Sequence, residues 1–139
     1  MPDQLEFNRN LIQEFRATRG DPNGPYAHRP ILLLTTTGAK TGLPRTTPVM
    51  YIRDAGRLYV IASNAGAPKH PHWYRNLLAH PDLTVEIGAE TYPARAVTLH
   101  GEDRRQAWEA ILLQAPFFAD HQAKITRQIP VVELIRRDS

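Results

Sequence analysis

Two short turns constrain this chain most. Asp54-Ala55-Gly56 and Gly88-Ala89 each separate strand-like runs. A turn this short joins antiparallel neighbours, because a parallel crossover needs about a dozen residues. Residues 31–36, about 46–53 and 57–62 read as strands around the first turn, and 83–88 and 90–99 around the second. A last short strand is expected at 130–135. Phe7, Leu11, Ile12 and Phe15 fall at helical spacing behind Asp3 and Glu6, predicting a helix that ends near Arg19-Gly20. A second helix runs from Pro71 through WYRNLLA. A third is opened by Glu102 and Asp103, with Trp108, Ile111 and Leu112 on one face. Residues 21–30 read as a linker, and 115–128 as a broken helix. Strands and helices do not alternate regularly, which argues against a doubly wound nucleotide fold. The expectation is α+β: one domain over residues 1–139, with a small, mostly antiparallel barrel or curled sheet and helices packed outside.

Several chemistries are excluded early. The chain has no cysteine, so disulfides, thiolate metal sites and cysteine nucleophiles are absent. No apolar run approaches the ~20 residues of a membrane span, and no early stretch reads as a signal peptide. The expected location is the cytoplasm. His72 and His80 share a helical face but are too far apart to hold one ion, so no metal is expected. Ser63 has no candidate base near it in sequence and no nucleophile-elbow motif, which argues against a hydrolase triad. His121, beside Phe117 and Phe118, is a candidate proton donor.

Charge is unevenly distributed. The net charge is +3, yet residues 31–80 carry Lys40, Arg45, Arg53, Arg57, Lys69 and Arg75 against Asp54 alone. Such a block suits an anionic partner or is simply a solvated surface. Within it, TTTGAKTGLPR (35–45) has two glycines around Lys40, with Arg45 behind. Gly38 and Gly42 can turn backbone N–H groups toward one anion, or can make an ordinary surface turn. The stretch is neither a Walker loop nor a dinucleotide fingerprint. ASNAGAPKHPHW (62–73) also ends a strand and runs into a helix whose N-terminus suits an anion, or is a plain connection. Two such loops on nearby strands favour a ligand site over two unrelated turns.

LLLTTTGAKTGLPRTTPVMYIRD, VIASNAGAPKHPHWYRNL, HPDLTVEIG and RQIPVVEL resemble, in that order and over about residues 31–135, the deazaflavin-dependent nitroreductase family, whose members use reduced coenzyme F420. The resemblance implies a split β-barrel like that of flavin-binding oxidoreductases. It implies that Gly38, Lys40, Thr41, Gly42 and Arg45 bind the cofactor's phosphate and oligoglutamate tail. It implies further that Ala62, Ser63, Asn64, Gly66, Ala67, Lys69, Pro71 and Trp73 line the deazaflavin ring and adjoining chain. Pro48, Val49 and Met50 are expected to wall the same cleft.

The implied reaction is hydride transfer from the reduced deazaflavin to a quinone, an activated enone or lactone, or a nitroaromatic. Ser63 and His121 are the catalytic candidates. Nitro-reducing members carry tyrosines before R-x-I-P. The matching positions here are Ala115, Phe118 and His121, which predicts an apolar acceptor pocket lined by Phe118 and argues against nitroimidazole reduction. The alternatives are a deazaflavin carrier without turnover, an FMN reductase of the same fold, and a nucleic-acid binder, for which no motif is visible. FMN has no acidic tail to occupy the Lys40/Arg45 loop. The first helix is expected to pack on the barrel. The alternative for its apolar face is peripheral contact with a membrane.

Overall fold

A computed structural model of the protein describes residues 4–17 and 30–137. Asp3, Arg19-Gly20 and residues 21–29 lie outside the described residues. The elements run α1 (Gln4–Ala17), β1 (Ile31–Thr37), β2 (Pro44–Asp54), β3 (Arg57–Ile61), α2 (His72–Ala79), β4 (Asp82–Ile87), β5 (Glu90–Thr98), α3 (Gly101–Gln114), α4 (Phe117–Ala123) and β6 (Val131–Arg136). The six strands close a barrel in the order β1-β2-β3-β6-β5-β4, with every pairing antiparallel.

The two turns act as the sequence predicts. Asp54 pairs with Arg57 across Ala55-Gly56, whose φ angles of 51° and 80° match the left-handed geometry of a tight hairpin. Ile87 pairs with Glu90 across Gly88-Ala89. The last strand then inserts between β3 and β5, so no edge is left open.

Strand β3 shows why its sequence, RLYVI, does not alternate between apolar and polar. Leu58 and Val60 point into the barrel with Leu32, Leu34, Val85 and Val132. Tyr59 and Ile61 point outward, into a second cluster with Ile111 of α3, Phe118 of α4, Ile129 and Val131. Both faces of the strand are therefore buried. The second cluster fixes α3 and α4 over the end of the barrel from which residues 62–71 emerge.

Helix α1 packs on the barrel. Leu11 and Phe15, one turn apart, are both buried. Arg16 donates from Nε and Nη2 to the two carboxylate oxygens of Glu86 on β4, at 3.0 and 2.9 Å. The face carrying Leu11 and Phe15 is thus used for packing. Among the described residues no helix is long and apolar enough to cross a membrane.

Candidate active site

The loop after β1 closes on itself. Gly38 N–H donates to Leu43 O at 2.8 Å, and Gly42 N–H to Gly38 O at 2.9 Å. A Cβ on Gly38 would stand 2.5 Å from Thr41 Oγ1, and Gly42 has φ +70°, so the closure requires both glycines. Of the two readings of Gly38 and Gly42, an anion nest or a turn, these bonds are those of a turn. The Gly38 and Gly42 N–H groups serve the loop itself, and Ala39 N–H donates to Asn76 Oδ1 at 2.9 Å. The N–H groups of Lys40 and Thr41 have no protein acceptor among the described residues. Asn76, buried on α2, also donates from Nδ2 to Thr36 Oγ1 at 3.1 Å. One amide thereby ties β1, its loop and α2 together.

Between this loop and α2 lies a cleft of about 410 Å³, lined by Gly38, Ala39, Lys40, Thr41, Arg45, His72, Arg75 and Asn76. No carboxylate lines it. Lys40, Arg45 and Arg75 make no ion pair among the described residues. The His72 ring, open to solvent on one side, is held below the ordinary histidine pKa by partial burial first and by Arg45 and Arg75 second. A depressed histidine pKa contributes stability above the unfolded value, and that contribution is lost as pH falls through it. An anion in the cleft relieves the repulsion and raises the His72 pKa, so binding takes up protons. Affinity for an anion that keeps its charge in this range, such as sulfate, is therefore expected to rise as pH falls below the ordinary histidine value. Calorimetric titration of His72→Asn should show that pH dependence flattened.

Residues 62–71 connect β3 to α2 and are held from the far side by Arg127. Its guanidinium donates from Nη1 to Ala62 O (3.3 Å) and from Nη2 to Ser63 O (3.0 Å), Ala67 O (3.1 Å) and Lys69 O (3.2 Å). Nε reaches Ala67 O at 3.3 Å, and Nη1 lies 3.0 Å from His70 Nδ1. An arginine nitrogen only donates, so His70 Nδ1 accepts and the ring is neutral. Burial, then Arg127 and Arg75, push the His70 pKa down in the same direction. Asn64 closes the segment from inside, donating from Nδ2 to Lys69 O at 3.0 Å.

At the start of the segment, Ser63 Oγ lies 3.2 Å from His121 Nδ1 on α4. The partner that Ser63 lacks in sequence arrives from 58 residues away. The imidazole packs edge-on to Phe117 and Phe118, with ring centroids 5.5 and 5.6 Å away. No carboxylate hydrogen-bonds His121 among the described residues, so the pair is a serine–histidine couple and not a triad.

A family model described as F420H(2)-dependent quinone reductase matches residues 7–135. The chain belongs to that family. It is 40% identical over 123 residues to an F420H(2)-dependent quinone reductase of Mycobacterium tuberculosis, covering 83% of each chain. A solved F420-H2 dependent reductase, FDR-A, is 41% identical with a TM-score of 0.69, covering 76% of this chain and 94% of that one. A structure described as a domain-swapped dimer is 38% identical with a TM-score of 0.72, covering 91% and 92%.

In this member of the quinone reductase family, the candidate residues divide among three places. Gly38, Lys40, Thr41 and Arg45 line the cleft, and Gly42 closes its loop. Ser63, Asn64, Gly66, Ala67 and Lys69 lie in the strapped segment. Pro71 is the residue preceding α2, with φ −64° and ψ 151°, and does not sit in the first turn. Ala62 and Trp73 are buried in the barrel interior, so the Trp73 side chain is core and does not line the cleft. Pro48, Val49 and Met50 do not wall one cleft, because strand side chains alternate. Val49 packs on the barrel interior and Met50 on the outer cluster.

The acceptor side also differs from expectation. Ala115 and Phe118 are buried in the outer cluster, and Phe117 is the exposed aromatic, at 41%. Helix α4 is only seven residues long and follows Pro116, too short for the apolar pattern to set its phase. His72, Arg75, Asn76 and Arg127 were not singled out as ligand-site residues from sequence. The first three carried a usable signal: His72 opens a helix whose N-terminus suits an anion or is a plain connection, and Arg75 and Asn76 lie about one turn on.

Proposed function

We propose that this chain binds reduced coenzyme F420 and reduces a quinone-type acceptor. The residues of the Lys40–Arg45 cleft would hold the phosphate and oligoglutamate tail, and residues 62–71 would line the ring. The observation that carries the reading is the cleft itself: Lys40, Arg45 and Arg75 surround a cavity without one carboxylate. That donor set fits a ligand with several negative charges, since charge-assisted hydrogen bonds from Lys and Arg are the strong kind. When bound, the reduced deazaflavin supplies a hydride to the acceptor.

The chain's own part is to bind, orient and supply a proton. Residues 62–71 run from the Ser63–His121 couple directly to His72 in the cleft, so one rigid segment connects the two ends of the site. Orientation along it removes much of the entropic barrier to transfer. A quinone that gains a hydride also needs a proton on its oxygen. As an imidazolium, His121 would donate from Nδ1 to Ser63 Oγ and pass its Nε2 proton to the quinone oxygen, ending as the neutral ring. Phe117, exposed beside that ring, offers an aromatic face to a planar acceptor.

Titration with F420 and with FMN at two salt concentrations tests the cofactor reading. Micromolar or tighter, salt-weakened binding of F420 with negligible FMN binding is expected; no F420 binding refutes it. His121→Asn is expected to leave the F420 Kd unchanged and to lower quinone turnover by at least ~100-fold, the low end for a general acid. Its pH–rate profile should also lose an ionisation. A profile unchanged by the substitution removes His121 from the mechanism.

A further inference from the structure

The cleft does not end at Arg45. A second recess of about 200 Å³ continues from it, lined by Asn8, Arg9 and Ile12 of α1, Arg45, Thr46 and Thr47 of β2, and His72 of α2. Arg45 and His72 belong to both cavities, so the two form one groove running from the 38–45 loop to the first helix. We propose that α1 supplies the distal anion subsite of this groove, with Arg9 receiving a carboxylate of the cofactor's oligoglutamate tail beyond those held near Lys40 and Arg45. The proposal rests on the F420 reading above and assigns the length of tail that the site recognises.

Three observations support it. The recess contains two arginines and no acidic side chain, so its charges repel unless an anion lies between them. Arg9 is exposed and makes no ion pair among the described residues. The helix that carries it is anchored independently of any ligand, by buried Leu11 and Phe15 and by the two-point Arg16–Glu86 pair. A subsite on an anchored helix is preformed and loses little entropy on binding. A flexible chain bearing one carboxylate per unit is the ligand chemistry that matches cations spaced along a groove. A compact phosphate would be satisfied at the first cavity alone.

The test is titration of the wild-type chain, Arg9→Gln and Arg9→Lys with three probes: a deazaflavin lacking phosphate and tail, short-tailed F420 and long-tailed F420. The wild type should bind the long-tailed form more tightly than the short-tailed form by roughly three- to fivefold, the upper part of the range of an exposed ion pair. Arg9→Gln should erase that ratio while leaving the short-tailed Kd unchanged, and Arg9→Lys should restore part of it. The proposal is overturned by a wild-type ratio of one, by an Arg9→Gln ratio equal to that of the wild type, or by equal weakening of both tailed forms, which would mean that Arg9 only steadies α1. Failure of the wild type to bind either tailed form would instead refute the cofactor reading itself.

Discussion

Arg127→Met is expected to bind F420 at least ~100-fold more weakly than the parent, a loss of about 2.7 kcal/mol, while the barrel stays closed. The guanidinium has five N–H donors. They serve four backbone carbonyls, of Ala62, Ser63, Ala67 and Lys69, and the ring of His70. No carboxylate pairs with it among the described residues, and burial pulls its pKa below the ordinary guanidinium value, though far from deprotonation. Methionine matches much of the stem but offers no donor. The carbonyls must then find water, and of the side-chain ties on residues 62–70 the Asn64–Lys69 bond and the Ser63–His121 contact remain.

The barrel itself does not depend on that strap. Ala62 N–H still donates to Pro130 O, and β3 remains paired with β6. The expected phenotype is therefore lost affinity with a modest drop in thermal stability, read by titration and by circular dichroism on one sample. Arg127→Lys should recover little, since three donors on one nitrogen cannot reach carbonyls on both sides of the loop. Near-wild-type affinity in Arg127→Met would show that the segment keeps its shape without the strap.

Arg127 also shows where sequence reading stops. The hairpins were legible because a two-residue turn between apolar runs leaves the chain one local solution. The tight loop after β1 was legible as two glycines with cations close in sequence. A guanidinium bonded to backbone carbonyls some 60 residues away leaves no pattern, because every residue has a carbonyl. The Ser63–His121 couple is a related case. Both residues could be named as candidates, but their meeting depends on α4 folding back over the end of β3. The Phe117/Phe118 exchange has a different cause: seven residues after a proline do not fix which face of a helix turns inward. Trp73 was assigned to the cofactor by position in a motif, whereas the amphipathic pattern of α2, with Trp73, Tyr74 and Leu77 all buried, places it in the core.

Asn76 gives the second large effect, because one amide joins the two halves of the cleft. It accepts from Ala39 N–H in the loop and donates to Thr36 Oγ1 in β1. Asn76→Leu keeps the branched four-atom outline, at a larger volume, and removes both bonds. The buried Thr36 hydroxyl is left without this donor, at a cost of about 1–3 kcal/mol, and the loop loses its tie to α2. Affinity for F420 is expected to fall by roughly 30-fold, about 2 kcal/mol, through loosened geometry. Asn76→Asp separates geometry from charge. A carboxylate still accepts from Ala39 N–H, and the Thr36 hydroxyl can turn to donate to it, so the loop keeps its place. The new charge, however, lies in the wall of a cavity lined by three cationic side chains and no carboxylate. Asn76→Asp should therefore unfold at nearly the wild-type temperature yet bind F420 at least as poorly as Asn76→Leu, with a deficit that shrinks as salt screens the repulsion. The deficit of Asn76→Leu should not shrink with salt. If both variants lost affinity with the same salt dependence, the electrostatic account of the cleft would fail, and the loop's shape alone would explain binding.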